Sequence, residues 1–565
     1  MAGPTRRQLF SALGASAFVT ATGGLLLPGR AGAEEQAGLA DGVTPDGLLS
    51  GDSTAFGHDL ALDPARPKRQ LRAMWIASVV NIDWPSRRGL SVEAQKAEYL
   101  RLLDEAEAYR LNAVFVQVRP TADAFWPSPY EPWSEWLTGV RGRDPGYDPL
   151  DFLLTEAHKR NLEFHAWFNP YRVSMPAPGG AGVDINQLAP NHPVRQHPDW
   201  VVPYPINAAG ARLYYNPGIP EVRAFVEDAI MHAVENYDID GVHFDDYFYP
   251  YPAAGQQFAD GDTYARYGGG FTNVHDWRRD NINLLVSELY QRIHAAKPWV
   301  KFGISPFGIW RNKATDPLGS QTNGLQSYDA IYADSRRWVR EGWVDYINPQ
   351  VYWNIGFTVA DYAKLVPWWA DVVDGTPVHL YVGQATYKIG TGGAWNDPAE
   401  LSRHLTFNRN YPQVHGDVHF SAVQMRANRL GAIDRLVAEQ YSRPALIPIS
   451  SRLGGAPPPH PVITWLEHVQ HRVRMTIQPT AVGEDGPSST AYAVYRLDSF
   501  DQLETGLQDA TFMLGTVRAD GGEASFEDRT AVPGRLYWYV ATALDRLHHE
   551  SQPSPPRPSQ GAPSS

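Results

Sequence analysis

Glu163-Phe164-His165-Ala166-Trp167-Phe168-Asn169-Pro170 and, further on, Gly241-Val242-His243-Phe244-Asp245-Asp246-Tyr247-Phe248 are two short apolar runs that end in polar residues. Between them, residues 220–237 start at a proline and carry a helical period. A run too short for a helix, then a helical segment, then another such run is the pattern of parallel strands joined by helices. The alternation continues outward in both directions. Runs occur at 72–79, 113–120, 163–170, 241–248, 301–308, 345–352, 379–387 and 417–424. Helical segments fall at 91–110, 148–161, 220–237, 273–297, 327–341, 359–372 and 398–410. The first of these opens on Ser91, an N-cap residue, with Glu93 soon after. The pattern predicts an α/β fold, a closed (β/α)8 TIM barrel over residues 69–441. No Gly-rich phosphate turn follows any run, which weighs against an open doubly wound sheet.

Reactive groups in such a barrel sit at the C-terminal ends of the strands and in the loops beyond. Those ends supply Arg119 and Asp123; His165, Asn169 and Arg172; His243, Asp245, Asp246 and Tyr247; Trp310; Gln350 and Tyr352; Gln384; and Gln424. Amides, arginines and aromatics together suit a sugar, whose hydroxyls take paired hydrogen bonds and whose apolar face packs on a ring. Cleaving a glycosidic bond needs a proton donor and a group that stabilises an oxocarbenium-like centre, usually two carboxyls. Asp245 and Asp246 are the catalytic candidates. Alternation turns Val242 and Phe244 toward the helices and His243 and Asp245 toward the mouth, with Asp246 in the loop above. Adjacent carboxylates also push one pKa upward. The alternative is that one of them caps a helix or pairs with an arginine such as Arg119.

Strand seven ends in Gly383-Gln384-Ala385-Thr386, without an acid. The second acid is therefore Asp246, or a loop residue such as Asp123 or Asp83, or its part is taken by a 2-acetamido group of the substrate, held by Tyr352. His165, His243 and Asp245 also suit a cation, but their spacing is unspecific, and neither metal nor cofactor is expected. No G-x-S-x-G turn supports a serine nucleophile.

The chain has 565 residues and a formal net charge of −13, which disfavours nucleic acid as a partner. It contains no cysteine, so disulfides, thiolate chemistry and a lipidated cysteine are excluded. Thr5-Arg6-Arg7-Gln8-Leu9-Phe10, an apolar run of small residues and Ala31-Gly32-Ala33 resemble a twin-arginine export signal over residues 1–33. The alternative, a retained anchor, is opposed by Gly14, Ser16, Thr20, Gly23 and Gly24, which keep the run short of the ~20 apolar residues a spanning helix needs. The protein is thus expected outside the cell or at the cell wall, with no stable membrane anchor. Residues 34–68 read as a flexible tether, 442–461 as a Pro/Gly/Ser linker and 549–565 as a disordered tail. Residues 462–548 alternate in strand fashion and, with Trp465 and Tyr537-Trp538-Tyr539, resemble a fibronectin type III sandwich. The linker implies few contacts between the two domains, so a barrel ending near Tyr441 is expected to fold and act alone.

Several blocks resemble one family in one order: Arg72-Ala73-Met74-Trp75-Ile76, Gln117-Val118-Arg119-Pro120, Glu131-Pro132-Trp133-Ser134, His165 to Arg172, Asp240 to Tyr247, Gly303 to Arg311 and Asn348 to Trp353. They resemble the glycosyl hydrolase-like family ten proteins of bacterial surfaces. The resemblance implies an exported TIM-barrel glycoside hydrolase acting on peptidoglycan glycan strands, particularly those stripped of peptide. It makes the strand-four aspartates the catalysts and the flanking polar residues substrate contacts. Many such relatives are lipoproteins; this chain lacks the cysteine. The rival reading is an inactive barrel that binds cell-wall glycan and displays the sandwich, which the retained Asp245 and Asp246 disfavour.

Overall fold

In the computed structural model, β1 (Leu71–Ile76), β2 (Ala113–Arg119), β3 (Glu163–Phe168), β4 (Gly241–Phe244), β5 (Lys301–Ile304), β6 (Tyr346–Ile347), β7 (His379–Gln384) and β8 (Val414–His419) pair in parallel in sequential order. The structure describes residues 66–176, 182–205, 211–469, 472–480 and 488–559; the export signal and nearly all of the expected tether lie outside them. β8 closes the barrel on β1, with Leu71 opposite Gly416. A Cβ on Gly416 would stand 2.3 Å from the Leu71 carbonyl oxygen, so only glycine lets the closing strands meet. Most strand residues are buried because helices cover the outside and side chains fill the inside.

Among the helices are α1 (Val92–Ala108), α2 (Pro149–Lys159), α3 (Pro220–Asn236), α4 (Val274–Ala296), α5 (Ser335–Arg340), α6 (Tyr362–Val373), α7 (Glu400–Asn408) and α8 (Ala432–Gln440). Ser91, Asp148, Asn273 and Asp361 cap α1, α2, α4 and α6 through their side chains, each accepting from a first-turn N–H that has no partner within the helix. Several boundaries differ from the sequence reading. β5 and β6 stop before Ser305-Pro306 and Asn348-Pro349, since proline has no N–H to continue the ladder. The helix expected over 327–341 is broken by Tyr332, which adopts a φ of 59°. The eighth strand ends at His419, and Ala422–Ala427 is a short helix.

The C-terminal part is a small all-β domain of two antiparallel sheets. β9 (Pro461–Val469), β10 (Arg472–Pro479) and β13 (Ala524–Asp528) form one in the order β9-β10-β13. β11 (Ala491–Leu497), β12 (Met513–Arg518), β14 (Trp538–Leu544) and β15 (Arg557–Pro558) form the other in the order β12-β11-β14-β15. Val473, Met475, Ile477, Tyr492, Val494 and Tyr539 make the core between them.

The expectation of few contacts between the domains is overturned. Leu446 and Ile447 are buried, and Leu446 exchanges backbone hydrogen bonds of 2.8 Å with Lys68 and Gln70 at the start of β1. Arg452 donates to the carbonyls of Val344 and Gly342 at 2.6 and 2.7 Å. The segment read as a linker therefore straps the N-terminal end of the barrel. The β-domain docks on the same end: Arg546 pairs with Asp238 and Asp240, His548 Nε2 lies 2.7 Å from Glu163 Oε1, and Asn161 Nδ2 donates to Thr516 at 2.8 Å. The tail expected to be disordered is also tied down as far as Ser559. Ser551, Ser554 and Ser559 accept from the N–H groups of Ala543, Ala541 and Tyr537 at 2.8, 3.0 and 2.9 Å, satisfying the edge of β14. Composition alone reads such a Ser/Pro segment as unpartnered because it reports polarity and stiffness and not the strand edge left open beside it.

Candidate active site

Inward-facing side chains fill the barrel in layers, as alternation requires. One layer holds Trp75, Phe115, His165, His243, Tyr346 and Tyr381, with Phe115 stacked on His165 at 4.3 Å and Tyr346 against Tyr381 at 5.2 Å. Its hydrogen bonds run in one direction. The Trp75 indole N–H only donates, and it meets His243 Nε2 at 3.1 Å, so the His243 proton sits on Nδ1, facing the Tyr346 hydroxyl at 3.2 Å. Tyr346 then donates to His165 Nδ1 at 3.0 Å, and His165 Nε2 donates to Glu163 at 3.0 Å. Burial holds His243 well below the usual histidine range, hence neutral. Both histidines were expected at the mouth. They are enclosed one layer beneath it, and the ring nitrogens are all engaged.

Two residues further along their strands stand Gln117, Trp167, Asp245, Ser305 and Asn348, which form the floor of the mouth. Gln117 and Arg172 both donate to Asn169 Oδ1, at 2.5 and 2.8 Å. This fixes the carboxamide so that Asn169 Nδ2 donates to Asp245 Oδ2 at 2.5 Å, where Trp167 Nε1 also arrives at 3.2 Å. The backbone N–H of Tyr247 reaches Asp245 Oδ1 at 3.1 Å. Asp246 accepts from the Tyr251 hydroxyl and from Gln350 Nε2, the latter at 2.9 Å. Arg172 lies over the Tyr247 ring at 5.1 Å.

Burial, then the charge of Asp246, pushes the Asp245 carboxyl up to about 6, against the opposing pull of Arg172 and Asn169. Burial also raises Asp246, opposed by Tyr251 and Gln350. Two carboxylates this close titrate together, and one proton is retained by the pair above the ordinary carboxylate range. Burial, Tyr387 and then Asp246 and Asp245 keep the Tyr352 phenol well above its usual range, so Tyr352 stays neutral within electrostatic reach of the pair. The Ser305 hydroxyl and both amide atoms of Asn348 are buried without a hydrogen-bond partner among the described residues.

The structure thus brings together Asp245, Asp246, Asn169, Arg172, Tyr247, Gln350 and Tyr352. It places the other expected contacts elsewhere. A register shift in β2 between Gln117 and Arg119 turns Arg119 out of the lumen. There it is fully buried, paired with Glu131 at 2.5 and 2.6 Å. Asp123 accepts from the N–H of Thr121 at 2.9 Å and also bonds Ser134, holding its own loop. Gln384 has the opposite parity to inward Gly383 and donates to Tyr362 of α6 and to Asp417, each at 2.8 Å. Gln424 lies on the short helix after β8. Trp310 donates to Asp334 at 2.9 Å and stacks on Trp368 at 6.1 Å. Asp83, the other acid weighed for the site, accepts from Ala77, Ser421 and Val423 at 2.8–2.9 Å. Trp167 and Gln117 were in the quoted runs but were not singled out; strand parity with Asp245 would have found them. Tyr251 had no signal, since Tyr247-Phe248-Tyr249-Pro250-Tyr251 does not say which ring turns back.

A closed barrel with an adjacent carboxyl pair at its mouth, set among amides and aromatics, defines the class: a glycoside hydrolase, with an oligo- or polysaccharide substrate. The chain belongs to the glycosyl hydrolase-like 10 family, whose pattern matches residues 70–399. The protein named glycosyl hydrolase YngK of Bacillus subtilis (strain 168) is 50% identical over 494 residues, 87% of this chain and 93% of that one. Glycosyl hydrolase DigH of Escherichia coli (strain K12) is 41% identical over 371 residues, 62% of this chain and 82% of that one.

Proposed function

We propose that the protein is an exported hydrolase of amino-sugar cell-wall glycan, acting on peptidoglycan glycan strands stripped of peptide. The observation that carries this reading is the adjacent carboxyl pair Asp245 and Asp246 at the end of β4. Asp83 and Asp123 hold their loops, Glu131 is paired with Arg119 of β2, and Asp245 and Asp246 rise side by side from one strand end. A two-carboxylate displacement needs acids on opposite faces of the scissile bond. In the proposed route the 2-acetamido oxygen attacks the anomeric carbon as the pair protonates the leaving oxygen. The ionised carboxylate accepts the acetamido N–H, and Tyr352 steadies the acetamido oxygen. A water that loses its proton to the pair then opens the cyclic intermediate and restores the acetamido group. Ser305 and Asn348 supply further hydrogen-bonding groups at the floor.

Incubating the purified protein with peptide-free glycan is expected to yield shorter chains by mass spectrometry. N-deacetylated glycan should be cut about a hundredfold more slowly, since the internal nucleophile is gone. Cleavage of both at equal rate would remove the acetamido route, and tight binding without products would favour the glycan-binding barrel.

Export rests on Arg6-Arg7 and the small-residue site at Ala31-Gly32-Ala33. Changing Arg6 and Arg7 to lysine is expected to leave the protein inside the cell on fractionation; normal secretion would refute the twin-arginine route. We also assign the C-terminal domain a fibronectin type III-like fold. Three strands face four, and the Tyr537 hydroxyl accepts from the upstream N–H of Val532 at 3.4 Å, as in a tyrosine corner.

A further inference from the structure

The proposed chemistry leaves unused a cavity of about 490 Å³. It is lined by Arg88 from the loop after β1, Glu135, Trp136 and Arg141 from the loop after β2, and Met175 and Leu188 from the loop after β3. All three loops leave C-terminal strand ends, so the cavity opens on the same face as Asp245 and Asp246. A path of contacts joins the two: Trp136 Nε1 donates to Thr121 at 3.2 Å, Arg172 donates to the Pro120 carbonyl at 3.1 Å and to Asn169 at 2.8 Å, and Asn169 holds Asp245. The size falls within the roughly 300–1,000 Å³ of small-molecule sites.

Its chemistry is specific. Glu135 is shared by Arg88 at 2.6 Å and Arg141 at 2.8 Å, so two cations face one carboxylate. Arg141 also donates to the Gln187 carbonyl at 2.9 Å, tying the third loop to the second. The Arg88 guanidinium lies over the Trp136 ring at 4.0 Å, and its side chain is 43% exposed, so it remains open to a ligand from solvent. Asp123, the other acid that Arg88 senses, is turned to Thr121 and Ser134 and does not line the cavity. Met175 and Leu188 give the remaining wall an apolar character.

We infer that this cavity is a subsite for a sugar that carries a free carboxylate on a short apolar arm, with Arg88 and Arg141 as the charge partners and Met175 and Leu188 packing the arm. An amino sugar whose lactyl ether has lost its peptide is such a group. An amide at that carboxylate removes the charge the two arginines recognise and adds bulk against the three loops. The inference rests on the proposed function and adds the reason why stripped strands are selected.

The test compares one oligosaccharide with its lactyl carboxylate free and the same oligosaccharide with it converted to a carboxamide. The wild-type chain is expected to prefer the free acid about tenfold in kcat/KM at low salt, as charged hydrogen bonds do, and to lose most of that preference in high salt. In Arg88→Gln/Arg141→Gln the ratio should fall to about one; in Glu135→Gln, which removes the competing anion, it should rise. Because the readout is a ratio within each variant, a general loss of activity does not imitate it. Equal use of the two substrates by the wild-type chain, or an unchanged ratio in the double variant, overturns the inference. The same ratio measured as affinity by calorimetry separates the two levels: discrimination without cleavage would refute the proposed reaction and leave the subsite standing.

Discussion

Asp245→Asn is expected to lower turnover on amino-sugar glycan by roughly 10²–10⁴-fold, the usual contribution of a general acid or base, with the fold intact. The substitution keeps the shape but removes the shared proton. It also sets a carboxamide against Trp167, Asn169 and the Tyr247 N–H, all of them donors, so one of these bonds is lost whichever way the amide turns. Asp246→Asn should lose activity on the same scale, because either change leaves a lone carboxyl that no longer titrates as a pair. Asp123→Asn should act through its loop and cost far less. The pH profile carries the sign: raised pKa values mean the required proton is present below about pH 6 and is lost as pH rises through the pair's range, so kcat/KM should decline on that side. Asp245→Asn with near-normal turnover on every amino-sugar polymer tried would remove the pair from the mechanism.

The second large effect concerns the docked β-domain. A chain ending at residue 441 is expected to be insoluble or to melt at least ~10 °C lower than the full chain. The truncation takes Arg546 and His548 away from Asp240 and Glu163, both buried, and a hydrogen bond to a charged group contributes about 1.5–3 kcal/mol. It also removes the strap that covers the start of β1. Both carboxyls are held below the usual carboxylate range, Glu163 chiefly by Lys301 and Asp240 chiefly by His158, in each case against the cost of burial. Groups lowered in this way stabilise above their unfolded pKa near 4 and lose that contribution as pH falls through the folded values. Truncation removes only the share of that lowering that Arg546 and His548 supply, so the advantage of the full chain should shrink as pH falls through the folded values. Equal melting temperatures for the two chains at pH 7 would show that the domain is merely tethered.

The alternation of short apolar runs with helical segments determined the barrel, because each strand is buried on both faces and each helix on one. The position of Asp245 was legible for the same reason: alternation from Val242 and Phe244 leaves one orientation for it. Recognition of the family came from contiguous blocks, which need no contacts to read. Tertiary structure decided what depends on registration between strands. The shift in β2 that turns Arg119 toward Glu131 is a property of the β2–β3 pair, invisible in either run alone. Gln384 and Gly383 differ only in parity, and the inward place of Gly383 is set by Tyr381 meeting Tyr346. His165 and His243 face inward as expected, but their depth below the mouth follows from where β3 and β4 start against their neighbours. The strap at 442–452 and the docked β-domain were read as loose because Pro, Gly and Ser report local stiffness and polarity. The burial of Leu446 and the pairing of His548 with Glu163 depend on surfaces supplied by residues hundreds of positions away.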